Sequence, residues 1–238
     1  MKITCWNVHY DVNEKKYSHI TKTENDILIL LECTHKSYNY LKDSWYYSLW
    51  YNDTLYENKS DYGIAIFSNK YRLDFTENFN RKFRYVIPLR VIDNKKNLFY
   101  LFTVWTKPTP VKYSLNIIKA FNYPGYKDYL EDKAILIGDF NTPTKPDKRQ
   151  EYDNIIALNL FDCANSEDVL KRTYYQDERY KYFTADYCFA TKKMLDFYKI
   201  KETIPELDES IKGKDKYLGL SDHCPIHIEV NAIEKENE

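Results

Sequence analysis

Glycine and proline are scarce, with five and eight copies among 238 residues. Collagen-like fibres, flexible linkers and loop-dominated scaffolds are excluded, because each draws its backbone behaviour from these two residues. The five cysteines (Cys5, Cys33, Cys163, Cys188 and Cys224) are odd in number, widely spaced and lack a CxxC pair. Neither a disulfide framework nor a zinc site is indicated, and reduced, mostly buried thiols are expected. No stretch approaches the roughly 20 apolar residues of a membrane span, and MKITCWNVHY lacks the apolar centre of a secretory signal. A monomeric, cytoplasmic protein with no membrane span is the expectation. Net charge is also missing: 35 basic against 36 acidic residues leave −1. That balance disfavours a nucleic-acid coat held by phosphate neutralisation, but leaves room for an enzyme that grips nucleic acid through a metal and a local patch.

What is present is core material. Hydrophobic residues make up 43% of the chain, with 24 tyrosines and 12 phenylalanines. Residues 2–8 read as a strand ending at Asn7, and residues 13–24 as a short polar helix with Tyr17 and Ile20 turned inward. Residues 26–31 (DILILL) form a continuous apolar run, the mark of a strand covered on both faces, and end at Glu32. Residues 45–51 and 62–68 (YGIAIFS) are further strands. RYVIPLRVI and LFYLFTVW flank Asp93-Asn94-Lys95-Lys96 and read as a hairpin. Residues 111–130 are helical, interrupted at Pro124-Gly125. Residues 134–137 form a strand entering Gly138-Asp139-Phe140-Asn141, residues 148–158 a helix, and residues 186–190 and 225–230 late strands. With no repeat or linker, one domain over residues 1–230 is expected, followed by a solvated tail at 231–238. Hairpins and helical connections together imply mixed sheets.

Five polar clusters sit at strand edges. Asn7, Glu32 and Asp139 with Asn141 follow apolar runs; Asp186 and Asp222-His223 precede them. Oppositely running strands can bring all five to one rim. The result is an acid- and carboxamide-lined pocket with one histidine. Its oxygens are hard ligands and suit Mg²⁺ or Mn²⁺ better than Zn²⁺. A histidine beside a carboxylate can act as an imidazolium or as a general acid or base. An Asp with an Asn can orient and deprotonate water. These parts suit metal-assisted hydrolysis of a phosphate ester without a covalent intermediate.

WNV (6–8), the Glu closing DILILLE, YGIAIFS, GDFN (138–141), ADYCFA (185–190) and LSDHCPI (220–226) resemble, in order and spacing, the endonuclease/exonuclease/phosphatase superfamily. Its members include AP endonucleases, pancreatic-type DNases, inositol-polyphosphate 5-phosphatases, neutral sphingomyelinases and mRNA deadenylases. The TVWTKP segment and the tyrosine-rich stretch before ADYCFA are similar to a bacterial branch. The resemblance implies an α/β fold of two packed mixed β-sheets flanked by helices, a four-layer DNase-like sandwich. Each half of the chain is expected to supply one sheet, with the site at their common rim. It implies that Glu32 ligates the metal with Asn7 beside it, and that Asp222 lies near a metal position. It further implies that Asp139 positions or deprotonates water, Asn141 binds phosphate or that water, and His223 contacts the scissile phosphate while paired with Asp186. Three departures stand out. His9 occupies a position that is acidic in many AP endonucleases. Trp105 replaces a His or Tyr and is read as a substrate-stacking ring or as core. Thr184-Ala185 precedes Asp186, where an Arg or His with an aliphatic residue is common.

Each residue also has a bland reading. Asn7 and Asp186 could cap strands, Glu32 could be a solvated strand end, Asp139 and Asn141 an Asx-type turn, and Asp222 a turn residue. His9, His19, His35 and His227 are read as structural or solvent-exposed, and residues 145–149 as a solvated loop. Six such coincidences in one order favour the functional reading. The expected activity is Mg²⁺- or Mn²⁺-dependent phosphodiester hydrolysis, with a nuclease acting on DNA or RNA ahead. A phosphatase or phosphodiesterase acting on a nucleotide, inositol phosphate or lipid headgroup is the runner-up. A catalytically silent binding module on the same scaffold is the rival from another class.

Overall fold

The computed structural model describes residues 1–52, 61–83, 86–106, 113–142, 149–164, 173–175, 182–205, 210 and 217–233. Fourteen strands and six α-helices are found among them. In chain order they are β1 (Lys2–Tyr10), α1 (Glu14–Lys22), β2 (Ile27–Thr34), α2 (His35–Leu41), β3 (Tyr47–Tyr51), β4 (Tyr62–Ser68), β5 (Arg72–Phe75), β6 (Val86–Asp93), β7 (Lys96–Trp105), α3 (Tyr113–Phe121), α4 (Pro124–Leu130), β8 (Ala134–Asp139), α5 (Arg149–Ile156), β9 (Leu160–Asp162), β10 (Tyr174–Tyr175), β11 (Tyr182–Phe183), β12 (Asp186–Thr191), α6 (Lys192–Phe197), β13 (Tyr198–Thr203) and β14 (Ile226–Ala232). The sequence reading did not place α2, β5, β9, β10, β11, α6 or β13, which are short or charge-rich. Residues 107–112 and 145–148, parts of the TVWTKP segment and of the charged loop, lie outside the described residues.

Twelve strands form two six-stranded sheets, ordered β13-β14-β1-β2-β4-β3 and β5-β6-β7-β8-β12-β9. Each has one parallel pair, β1 with β2 and β7 with β8, enclosed by antiparallel neighbours. The expectation that each half of the chain supplies a sheet is wrong. The first sheet takes β1–β4 and then β13 and β14, and the middle of the chain builds the second. The reason lies in β14, whose buried Ile226, Ile228 and Val230 add to the same inter-sheet core as Ile3 and Cys5 of β1. Strand β14 also continues through Asn231 and Ala232, two residues into the stretch read as tail.

Alternation along the strands makes the layers. Ile27, Ile29 and Leu31 of β2 face Ile135 and Ile137 of β8 within the inter-sheet core. Leu28 and Leu30 turn the other way and pack with Ile20 and Leu41 of α1 and α2. Leu136, Phe102 and Phe189 likewise meet Ile117, Phe121, Tyr126 and Ile155 of α3, α4 and α5. DILILL is therefore apolar throughout because both of its faces are covered. The hairpin turn between β6 and β7 uses Asn94 and Lys95 at φ 47° and 66°, the positive pair that a tight two-residue hairpin requires.

One buried charge stands apart from this scheme. Lys16 of α1, read from sequence as part of a polar helix, is only 6% exposed. Its Nζ donates to the carbonyls of Val8 (2.5 Å) and Asp11 (3.0 Å). It thereby satisfies two acceptors in the chain that leaves β1.

Gly138, the residue before Asp139, adopts φ 150°, and a Cβ there would lie 1.9 Å from the Val104 carbonyl oxygen of the neighbouring strand. Neither strand can retreat without opening the core. Gly138→Ala is expected to cost about 3 kcal/mol or more. Urea denaturation beside the parent protein measures this; a loss under about 1 kcal/mol would mean that the two strands can part.

Candidate active site

The two parallel pairs aim their carboxyl ends at one rim, and their antiparallel neighbours start there. Asn7 and Glu32 come from β1 and β2, Trp105 and Asp139 from β7 and β8. Asp186 opens β12, and Asp222-His223 lies just ahead of β14. Antiparallel pairing sets Asp186 directly opposite Asp139. The site thus spans both sheets, and two side-chain contacts tie them. The Asn7 Nδ2 donates to Glu32 Oε1 (3.1 Å) on its own sheet and to Asp139 Oδ2 (3.2 Å) on the other. The His223 Nδ1 meets Asp186 Oδ2 at 2.9 Å.

The orientation of Asn7 follows from its partners. Its Oδ1 accepts from the His9 backbone N–H at 3.1 Å, so its amino group must face the two carboxylates. Asp139 receives a second donor, the Asn141 N–H, at 3.0 Å. The Asn141 side chain is anchored through Nδ2 on the Thr106 carbonyl (2.9 Å).

A shell that the sequence reading did not name fixes the Asp186–His223 pair. The Thr173 hydroxyl accepts from the Ala185 and Asp186 N–H groups (2.8 and 3.0 Å). The Ser221 hydroxyl donates to the Asn7 carbonyl (2.8 Å) and accepts from the His223 N–H (3.2 Å). The Trp6 indole donates to the His223 carbonyl (3.0 Å), and the Tyr174 ring lies 4.4 Å from the imidazole. Ser221 and Trp6 sit inside the LSDHCPI and WNV motifs, so their proximity to His223 and Asn7 was a usable signal. Thr173 and Tyr174 carried none.

Electrostatics follow from the crowding. Asp186 and His223 are 3% and 5% exposed. Burial alone would lower the imidazole pKa, but the charge and hydrogen bond of Asp186, with Asp139 and Asp222 beyond, raise it to about 10. The ring is therefore an imidazolium at neutral pH; Nδ1 donates to the carboxylate and Nε2 remains for another partner. Burial and the Asp186 charge push the Asp139 carboxyl up to about 8. The ligand atoms of Asp139, Asp186 and His223 lie within 4.8 Å of one another, and Asn7 draws in Glu32. So many acids around one imidazolium fit a divalent cation, whose charge would restore the ionised forms.

The backbone here is strained. His9, Tyr10, Glu32 and Asn141 all have positive φ (48°, 80°, 52° and 51°), which non-glycine residues seldom adopt. Glu32 lies within β2, not at its end as the sequence suggested. The β1–β2 register breaks between Asn7 and Tyr10, and the β2–β4 register between Leu30 and Cys33. Two adjacent bulges thus re-aim the side chains at the rim. His9, read as structural or solvent-exposed, has its Nδ1 3.2 Å from Asp222 Oδ1, in the bulged stretch of β1. His227 and His19 do make structural contacts, with Thr4 and Tyr217 (2.8 Å each). Trp105 is 7% exposed, in the inter-sheet core, with its ring 5.8 Å from that of Tyr62.

No family model and no curated relative matches the sequence. Solved structures do match its fold. An endonuclease/exonuclease/phosphatase family protein from Leptotrichia buccalis superposes with a TM-score of 0.64 at 18% identity, covering 97% of this chain and 99% of that one. An AP endonuclease from Archaeoglobus fulgidus gives 0.63 at 15% identity over 96% and 98%. A Bacteroides thetaiotaomicron mannosyl-6-phosphatase gives 0.61 at 16% over 97% and 99%. The chain has the fold of the endonuclease/exonuclease/phosphatase proteins.

An acid with a raised pKa destabilises the folded protein. The cost begins where the unfolded group ionises, near pH 4, and grows until the folded group ionises near pH 8. Without metal, Asp139→Asn is expected to be the more stable protein at pH 7.5 by about 1–2 kcal/mol, and no more stable below pH 4. Denaturation in chelator across this pH range measures the difference; equal stability throughout would show that Asp139 carries no such burden.

Proposed function

We propose that the chain is a Mg²⁺- or Mn²⁺-dependent phosphodiesterase, a nuclease acting on DNA or RNA. The observation that carries this reading is the cross-sheet cluster in which Asn7 bridges Glu32 and Asp139 while Asp186 holds the His223 imidazolium. The AP endonuclease and the phosphatase of the same fold support a phosphoester substrate.

Glu32 would hold the ion as its chief ligand, with Asp222 near a metal position and Asn7 fixing the Glu32 carboxylate. When bound, the ion supplies charge neutralisation at the phosphate and polarises its oxygens. His223 donates from Nε2 to a non-bridging phosphate oxygen, and this bond strengthens as negative charge builds in the transition state. Asp139, held by the Asn7 amide and the Asn141 N–H, takes a proton from the attacking water. Asn141, anchored by its amino group, offers its Oδ1 to orient that water. The water oxygen bonds to phosphorus, the P–O bond to the leaving group breaks, and the departing alkoxide is protonated by solvent.

The near-neutral charge favours a second reading, a phosphatase or phosphodiesterase acting on a small nucleotide, inositol phosphate or lipid headgroup. A panel of supercoiled, abasic and single-stranded DNA, RNA, a chromogenic phosphodiester and phosphoinositides separates the two. A protein that cleaves none of them with either metal is a silent module.

His223→Ala is expected to lower turnover roughly 10²–10⁴-fold, and Asp186→Asn by a comparable or smaller factor. The double variant should lose little beyond His223→Ala alone, because Asp186 acts through the ring. Losses that multiply would break the pairing, and full activity in excess EDTA would remove the metal from the mechanism.

A further inference from the structure

The chain departing from β1 places an aromatic ring at the edge of the site by means that packing does not require. Tyr10 is 44% exposed, so its ring adds little to any core. Yet it and His9 are consecutive non-glycine residues at positive φ, in a β-bulge beside Glu32. The buried ammonium of Lys16 grips the carbonyls of Val8 and Asp11, the residues on either side of this pair. Strain held in place by a buried cation is expected where the position of a side chain serves a function.

The Tyr10 ring is braced from two sides. The His9 ring lies 4.6 Å away, tilted 48°, and the Tyr62 ring lies 5.1 Å away, nearly perpendicular. Tyr62 in turn rests on Trp105 at 5.8 Å. His9, whose ring lies against Tyr10, has its Nδ1 3.2 Å from Asp222 Oδ1, so the Tyr10 ring borders the metal-ligand end of the pocket. The sequence offered Trp105 either as a stacking ring or as core. The structure leaves Trp105 7% exposed and Tyr10 44% exposed, so of these two rings Tyr10 is the one a ligand can reach.

We infer that Tyr10, braced by His9 and Tyr62, is a stacking platform for a nucleobase next to the phosphate that the enzyme cleaves. This rests on the phosphodiesterase reading and narrows it to substrates that carry a base. A phenol ring offers every base a π-face and little sequence discrimination, so preference should be for the presence of a base, not its identity.

The test compares two probes that differ only in the base, adenosine 5′-monophosphate and ribose 5-phosphate, titrated calorimetrically with Mg²⁺ present. The parent protein is expected to bind the nucleotide about tenfold more tightly, the share of one stacked base. Tyr10→Ala should collapse that ratio toward one, while Tyr10→Trp and Tyr10→Phe keep it. A dinucleotide substrate should show the loss in KM more than in kcat. The inference is overturned if Tyr10→Ala retains the ratio, if it weakens both probes equally, or if the parent shows no preference while binding both. Failure of the parent to bind either probe, with no phosphodiester turnover, would sink the phosphodiesterase reading as well.

Discussion

Antiparallel pairing of β8 with β12 forces two buried acids, Asp139 and Asp186, to face each other in register. Like charges in a dry rim are costly, and much of the surrounding architecture answers that cost. His223 neutralises Asp186, and the pair is buried deeply enough that neither can be removed alone without stranding the other. Asp139 is left with two neutral donors, the Asn7 amide and the Asn141 N–H. Those donors hold its geometry without cancelling its charge. A carboxylate positioned but not neutralised is what a cation or a proton can act on.

The same constraint explains why the site lies between the sheets. Each sheet carries one parallel pair, and the carboxyl ends of both pairs reach one rim. Asn7 and His223 from the first sheet meet Asp139 and Asp186 from the second. Either sheet alone would present half of the charges without their partners. The cross-sheet hydrogen bonds therefore couple the packing of the inter-sheet core to the geometry of the site, with core residues Cys5 and Ile137 two positions before Asn7 and Asp139 on their strands.

Backbone strain is distributed unevenly. Asn94 and Lys95 take positive φ in a hairpin turn, where strand twist demands it. His9, Tyr10, Glu32 and Asn141 take it around the site, at the two bulges and where the Asn141 N–H turns back onto Asp139. Lys16 shows how such strain is held: a buried ammonium bonded to two carbonyls is far harder to displace than a solvated one. Stability has been given up at this rim for the placement of a few side chains.

By itself the sequence determined the layers and the identity of the polar rim. The continuous run at 26–31, the alternation at 225–230 and the turn at 93–96 each reflect burial or local backbone geometry, which neighbouring residues encode. Polar residues at the ends of apolar strands were equally legible, because an acid beside a buried run has few places to go. Tertiary structure decided what depends on distant partners. The late strand β14 joined β1 because their apolar faces share a core, a pairing that no local pattern contains. Edge strand β13, rich in Lys and Glu, resembled loop until β14 supplied its hydrogen bonds. Lys16, within a helix read only as polar, is buried because the carbonyls of Val8 and Asp11 lie within reach of its Nζ. His9 and Tyr10 lay beyond the strand read at residues 2–8, and nothing in their identity foretells a positive φ. That conformation accompanies the break in register between β1 and β2, which depends on how two strands distant in sequence pair.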